Sequence, residues 1–265
     1  MKLAVSGKGG VGKTTLSSTL ARLYGAEGRT VLAIEANPDA NLGAAIGFSP
    51  EELRKVRPIA EMSELIEERT GMKPGTTGGV FRINPKVDDI PDRFSISKDG
   101  VKLLVMGTVK QGGGGCLCAE GSLIRSLVSH LLVRRSEVVI MDMDAGIEHL
   151  GRATADSVDA FIVVVEPGQR SIQTAYAVRE LTRDIGIKTC YAVGNKVHNE
   201  SEKKFIIESL PDFEVLGFVS YSPQIIEADL KGQSPYDTAP LAVKEITEIK
   251  KRLDALYEAK QKLKG

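Results

Sequence analysis

Gly7-Lys8-Gly9-Gly10-Val11-Gly12-Lys13-Thr14 lies between a short apolar run, Leu3 to Ser6, and an amphipathic stretch, Lys13 to Glu27. The octet satisfies G-x-x-x-x-G-K-[ST] in the context that gives this spacing a mechanism, after a strand and at the opening of a helix. Glycines there let successive backbone N–H groups turn inward around an anion, and the helix start points its positive end at the same place. Gly9, Gly10, Val11, Gly12, Lys13, Thr14 and Thr15 therefore read as a phosphate cradle for ATP or ADP. Lys13 is expected to reach the terminal phosphates and the Thr14 hydroxyl to ligate Mg²⁺.

Outward from the cradle, short β-branched runs alternate with longer amphipathic stretches. Strands are expected at Leu3 to Ser6, Thr30 to Ile34, Lys102 to Met106, Val138 to Asp142, Ala160 to Val165, Thr189 to Val193 and Glu214 to Val219. Helices fall between them at Lys13 to Glu27, Glu120 to Val133, Ser171 to Ile185, Glu202 to Ser209 and Ala242 to Lys260. Such alternation predicts an α/β fold: one P-loop domain with a mainly parallel, twisted sheet and helices on both faces. Residues 49–93 are less regular and read as an insertion within the domain, over a total length of 265 residues.

The chain is 42% hydrophobic and 26% charged, with Lys plus Arg and Asp plus Glu both at 35. These are the proportions of a globular protein without the basic excess of a nucleic-acid binder. It enters a strand at Lys2 with no leader pattern, and no apolar run approaches the ~20 residues of a membrane span. A cytoplasmic protein with neither membrane nor nucleic acid as partner is expected. In the last helix Ile246, Ile249, Leu253 and Leu256 recur near helical spacing among Glu245, Glu248, Asp254 and Glu258, which predicts docking on the domain.

Two further segments carry candidate chemistry. Val138 to Met141 is an apolar strand ending in Asp142, the usual form of a carboxylate that holds Mg²⁺ through water, though an acidic helix cap has the same appearance. Gly146, four residues on, would let a backbone N–H approach a terminal phosphate. Glu35-Ala36-Asn37-Pro38-Asp39 follows the second strand, where a second switch belongs. Asn195-Lys196 follows a strand and suits recognition of the adenine edge, because an amide both donates and accepts; as a dipeptide it is equally a common turn.

Three cysteines are too few for a disulfide scaffold. Cys190 falls in an apolar strand and is expected to be a buried small hydrophobe. Cys116 and Cys118 follow four glycines, Gly112 to Gly115; from spacing alone they are equally two incidental thiols or two of the four ligands of a tetrahedral site for a soft or borderline metal ion. His149 and Glu148 are extra ligand candidates or helix caps, His130 reads as packing, and His198 has no evident partner.

K-G-G-x-G-K-T at Lys8 to Thr14 resembles the deviant P-loop of the MinD, ParA and nitrogenase iron-protein superfamily. From spacing alone Lys8 is equally a solvated loop lysine; the resemblance implies that it crosses a homodimer interface to the partner's nucleotide. The Cys116/Cys118 pair and the stretch from Asp142 to Thr154 further resemble the CooC-type nickel-insertion ATPases that mature carbon monoxide dehydrogenase, and their relative for acetyl-CoA synthase. Applied here, that resemblance implies an ATP-closed dimer in which two Cys pairs form one Cys₄ metal site, with one of those enzymes as client. The superfamily reads D-x-D-P where this chain has Glu35-Ala36-Asn37-Pro38. The Asn37 amide cannot accept a proton as a carboxylate can, so slow hydrolysis is expected, with Asn37 orienting water or Asp39 assisting.

Overall fold

The computed structural model describes residues 1–37, 41–76, 80–107, 119–133, 137–145, 150, 157–187 and 189–262. The apolar runs become strands and the periodic stretches become helices. Strand β1 (Lys2–Gly7) feeds helix α1 (Lys13–Ala26), followed by β2 (Val31–Glu35), α2 (Leu42–Ile46), α3 (Pro50–Leu53), α4 (Ser63–Thr70) and α5 (Ile90–Phe94). A hairpin of β3 (Ile96–Lys98) and β4 (Val101–Val105) precedes α6 (Ala119–Val133) and β5 (Val138–Asp142). The remainder runs β6 (Ala160–Val165), α7 (Gln169–Ile185), β7 (Cys190–Val197), α8 (Glu200–Ser209), β8 (Glu214–Ser220), α9 (Pro223–Leu230), α10 (Pro235–Thr238) and α11 (Pro240–Lys262).

Among the described residues the strands form one sheet in the order β3-β4-β2-β5-β1-β6-β7-β8. Every neighbouring pair is parallel except β3 with β4. Parallel strands need crossovers, and the crossovers cover both faces, which is why β1, β2, β5 and β6 are buried throughout. Successive side chains then serve opposite cores. Leu3, Val5, Val31 and Ala33 pack with Leu16 and Leu20 of α1 and with Ile246 and Ile249 of α11. Ala4, Leu32 and Ile34 pack on the other face with Leu65 and Ile66 of α4, Leu123 and Leu127 of α6 and Val178 of α7. Each fully buried aliphatic side chain is worth about 1.5–3 kcal/mol, so both layers are needed to hold the sheet.

The register sets the site. Val5 lies opposite Asp142, Glu35 opposite Asp142 on the other side, and Gly7 opposite Val164. The carboxyl ends of β2, β5, β1, β6 and β7 therefore meet at one edge, where the chain leaves β1 into the cradle.

Several expected boundaries shift. β7 runs from Cys190 to Val197 rather than ending at Val193, with irregularities between Ala192 and Val193 and between Gly194 and Val197. α8 begins at Glu200, because the Asn199 side chain accepts from the Glu202 N–H at 3.0 Å and so starts the helix earlier than its apolar pattern. The β3–β4 hairpin was absent from the sequence reading; its turn residue Asp99 has φ 47 and is followed by Gly100. Residues 49–93, read as an insertion within the domain, contribute to its core. Ile59, Leu65, Ile66, Val87 and Ile90 are buried in the core shared with α6. α11 docks as its spacing predicts, burying Ile246, Ile249 and Leu253. Among the described residues no helix is long and apolar enough to cross a membrane.

Candidate active site

The loop between β1 and α1 places Gly9 and Gly10 on the surface, with no heavy atom within 4 Å of where their Cβ atoms would stand. That open stretch of backbone leads into the start of α1, where N–H groups lack intrahelical partners. Behind it Lys13 is 5% exposed, its Nζ donating to the Lys8 carbonyl at 3.3 Å and lying 3.8 Å from the Asp144 carboxylate. An ammonium is thus held in place before any anion arrives.

Gly12 is fixed by both backbone and neighbour. Its φ is +98°, and an added Cβ would stand 2.0 Å from Asn195 Nδ2. That amide cannot easily retreat, since it is buried and donates to the Val11 carbonyl at 2.7 Å. Gly12→Ala is expected to weaken ADP binding about 5- to 150-fold, from the ~1–3 kcal/mol such backbone strain carries. Isothermal titration checks it, and wild-type affinity would contradict it.

Below the loop, Asp142 is fully buried. Its Oδ2 accepts from Thr14 Oγ1 at 2.7 Å and its Oδ1 from Ser17 Oγ at 3.1 Å. Burial raises its pKa to about 6 against the opposing pull of these two hydroxyls and of Lys13. A hydroxyl and a carboxylate side by side are the hard oxygen donors that Mg²⁺ takes, so the residues present fit that ion. Ser17, one turn beyond Thr14, went unread in the sequence.

Glu35 ends β2 beside Asp142. It is 1% exposed; Oε2 accepts from the Leu42 N–H at 2.5 Å, and Oε1 has no hydrogen-bond partner among the described residues. Burial and the Asp142 charge push its pKa up to about 8, although the N–H groups of Leu42, Asn37 and Asn41 pull it back. Asn37, Asn41 and Leu42 therefore all present backbone N–H groups to one carboxyl group. Asp39 lies outside the described residues, as do Gly146, Glu148, His149, Cys116 and Cys118.

On the β6–β7 side, Lys8 Nζ lies 3.0 Å from Glu166 Oε1, and Lys196 Nζ donates to the Gly10 carbonyl at 2.6 Å. Lys196 has φ 56, and with Asn195 it belongs to β7 rather than to a turn after the strand. His198 has partners that the sequence did not disclose: its ring stacks on Tyr221 at 4.7 Å, and Nδ1 is 3.2 Å from Glu202. Cys190 is half-buried, and burial pushes its thiol up to about 12. The fold thus gathers Lys8, Lys13, Thr14, Glu35, Asn37, Asp142, Asn195 and Lys196 around one loop.

Residues 2–236 match the family model for the CobQ/CobB/MinD/ParA nucleotide-binding domain. The chain belongs to that family. It is accordingly a P-loop ATPase with the MinD/ParA fold. The carbon monoxide dehydrogenase accessory protein CooC of Rhodospirillum rubrum is 48% identical over 91% of this chain and 91% of its own. An ATP-binding protein of Methanocaldococcus jannaschii is 45% identical over 94% of this chain and 96% of its own. Among solved structures, the MinD cell division protein of Aquifex aeolicus superposes with a TM-score of 0.67 at 20% identity, covering 96% of this chain and 97% of that one. A likeness at that identity concerns the fold alone.

Proposed function

We propose that this ATPase is a metallochaperone: ATP closes a homodimer, the closed dimer binds a metal ion through Cys116 and Cys118 of both protomers, and hydrolysis releases the ion to a client. Nickel is the cargo proposed, with carbon monoxide dehydrogenase as client and acetyl-CoA synthase as the alternative; Zn²⁺ would occupy the same thiolates in isolation. The observation that carries this function is the 48% identity to CooC over 91% of both chains, in a chain that also has a Cys-x-Cys pair.

The residues have separable tasks in this scheme. Backbone N–H groups of residues 9–15 bind phosphate oxygens, and Lys13 neutralises charge that builds on the transferred phosphoryl group. Thr14 and Asp142 would hold Mg²⁺, which when bound offsets phosphate charge. Asn37, positioned by the Glu35 carboxylate, orients the attacking water without taking its proton. Lys8 reaches a partner's nucleotide, and Asn195 with Lys196 borders the base.

Metal analysis of anaerobic protein with and without ATP, alongside its mass in solution, tests the scheme. The wild type should hold one ion per dimer in the ATP state. Replacing Cys116 and Cys118 by Ser should abolish metal binding and leave ADP affinity intact. A double variant that still held one ion per dimer would show the site assignment to be wrong.

A further inference from the structure

The same carboxylate faces two lysines of the cradle. Glu166 follows β6 directly, and its N–H donates to Ser171 Oγ at 3.0 Å, which ties it to the first turn of α7. Its Oε1 is 3.0 Å from Lys8 Nζ and its Oε2 is 3.8 Å from Lys196 Nζ. Lys196 in turn is hooked to the Gly10 carbonyl at 2.6 Å. Glu166 therefore spans the loop from a rigid strand end, with one lysine on each oxygen.

We infer that Glu166 is a positioning residue that holds Lys8 within its own protomer, so that closure onto a second copy of this chain must first break the Lys8–Glu166 pair. This rests on the proposal that Lys8 acts in trans. The chemistry suits a latch rather than a permanent bond. One carboxylate shared between two ammonium groups leaves a net positive charge, which a partner's triphosphate satisfies better. When Lys8 leaves, Glu166 is not stranded, because Lys196 stays beside it. The Lys8 and Glu166 side chains are 39% and 27% exposed, so water solvates both as they separate. A pair of this exposure holds its closed form by a factor of about 2 to 5. Two such pairs break per dimer, giving about 4- to 25-fold in the dimerisation equilibrium.

Glu166→Gln tests this through the protein concentration at which ATP hydrolysis per protomer reaches half its maximum. That concentration should fall by about 4- to 25-fold in the variant, while ADP affinity of the dilute protein stays as in the wild type. Glu166→Asp, which keeps the charge but shortens the reach, should fall between. Raising salt should narrow the gap between wild type and Glu166→Gln, as it does for any half-exposed ion pair. An unmoved midpoint in Glu166→Gln, or a gap indifferent to salt, overturns the latch. Wild-type hydrolysis that does not depend on protein concentration, and survives Lys8→Gln, would instead remove the trans role of Lys8 and the latch with it.

Discussion

Lys13→Ala is expected to lower ATP turnover at saturating nucleotide by about 10²- to 10³-fold, the usual cost of removing one preorganised group from developing charge. The size follows from where the ammonium sits. It is 5% exposed, pinned between the Lys8 carbonyl at 3.3 Å and Asp144 at 3.8 Å, so it is in place before nucleotide binds. Reorganisation is therefore small at the moment of reaction, and water cannot replace what the side chain supplies. Removal also takes away a cation whose charge opposes the raised pKa of Asp142. Nucleotide binding should weaken, but kcat should fall further than KM rises, because charge on the phosphoryl oxygens is greater in the transition state than in the ground state. Phosphate release at several ATP concentrations measures both. Turnover within a few-fold of wild type would deny Lys13 its role in the cradle.

The cradle was legible because its chemistry is written in consecutive residues. Gly7 to Thr14 needs no tertiary partner to be read, and β1 and α1 flank it where that spacing places them. The parallel sheet was legible for a related reason: Ala160 to Val165 and Val138 to Asp142 are apolar without a break, as strands covered on both faces must be. What escaped was long-range. Glu166 is a single acidic residue after a strand, and only the β1–β6 pairing brings it to Lys8, 158 positions away. Ser17 gave no signal of its own, because Asp142, 125 positions away, reaches it only when β5 is placed beside α1. His198 lacked a partner in the sequence because Tyr221 comes to it only through the β7–β8 pairing. The β3–β4 hairpin did carry a local signal in Asp99-Gly100, but three residues of half-exposed strand are too short to show alternation. Glu35 was visible only as a departure from the superfamily pattern. Its physical consequence depends on Asp142 standing beside it.

That consequence is a stability that falls as pH rises. Burial lifts the Glu35 pKa to about 8 from the 4.5 of a solvated side chain, and that of Asp142 to about 6 from 3.8. Both folded values are raised, so across this range the native state binds more protons than the unfolded chain, and unfolding releases them. Stability is then greatest below the unfolded pKa values and is lost as pH climbs through about 4 to 8, where the two carboxylates ionise beside each other in the interior. Glu35→Gln removes the larger share. An amide carbonyl still accepts from the Leu42 N–H, and no charge is left to desolvate. In nucleotide-free protein with metal chelated, the variant should match wild type near pH 5 and exceed it at pH 8 by on the order of a few kcal/mol, at ~1.4 kcal/mol per pKa unit. For a chain of this length that corresponds to roughly 5–10 °C in Tm. Thermal unfolding at several pH values is sufficient to measure the gap. A gap of the same size at pH 5 and pH 8 would mean that Glu35 is ionised throughout. A gap that opens with pH would identify Glu35 as a buried, protonated acid at the root of the Asn37 loop, where the surrounding fold offsets its cost.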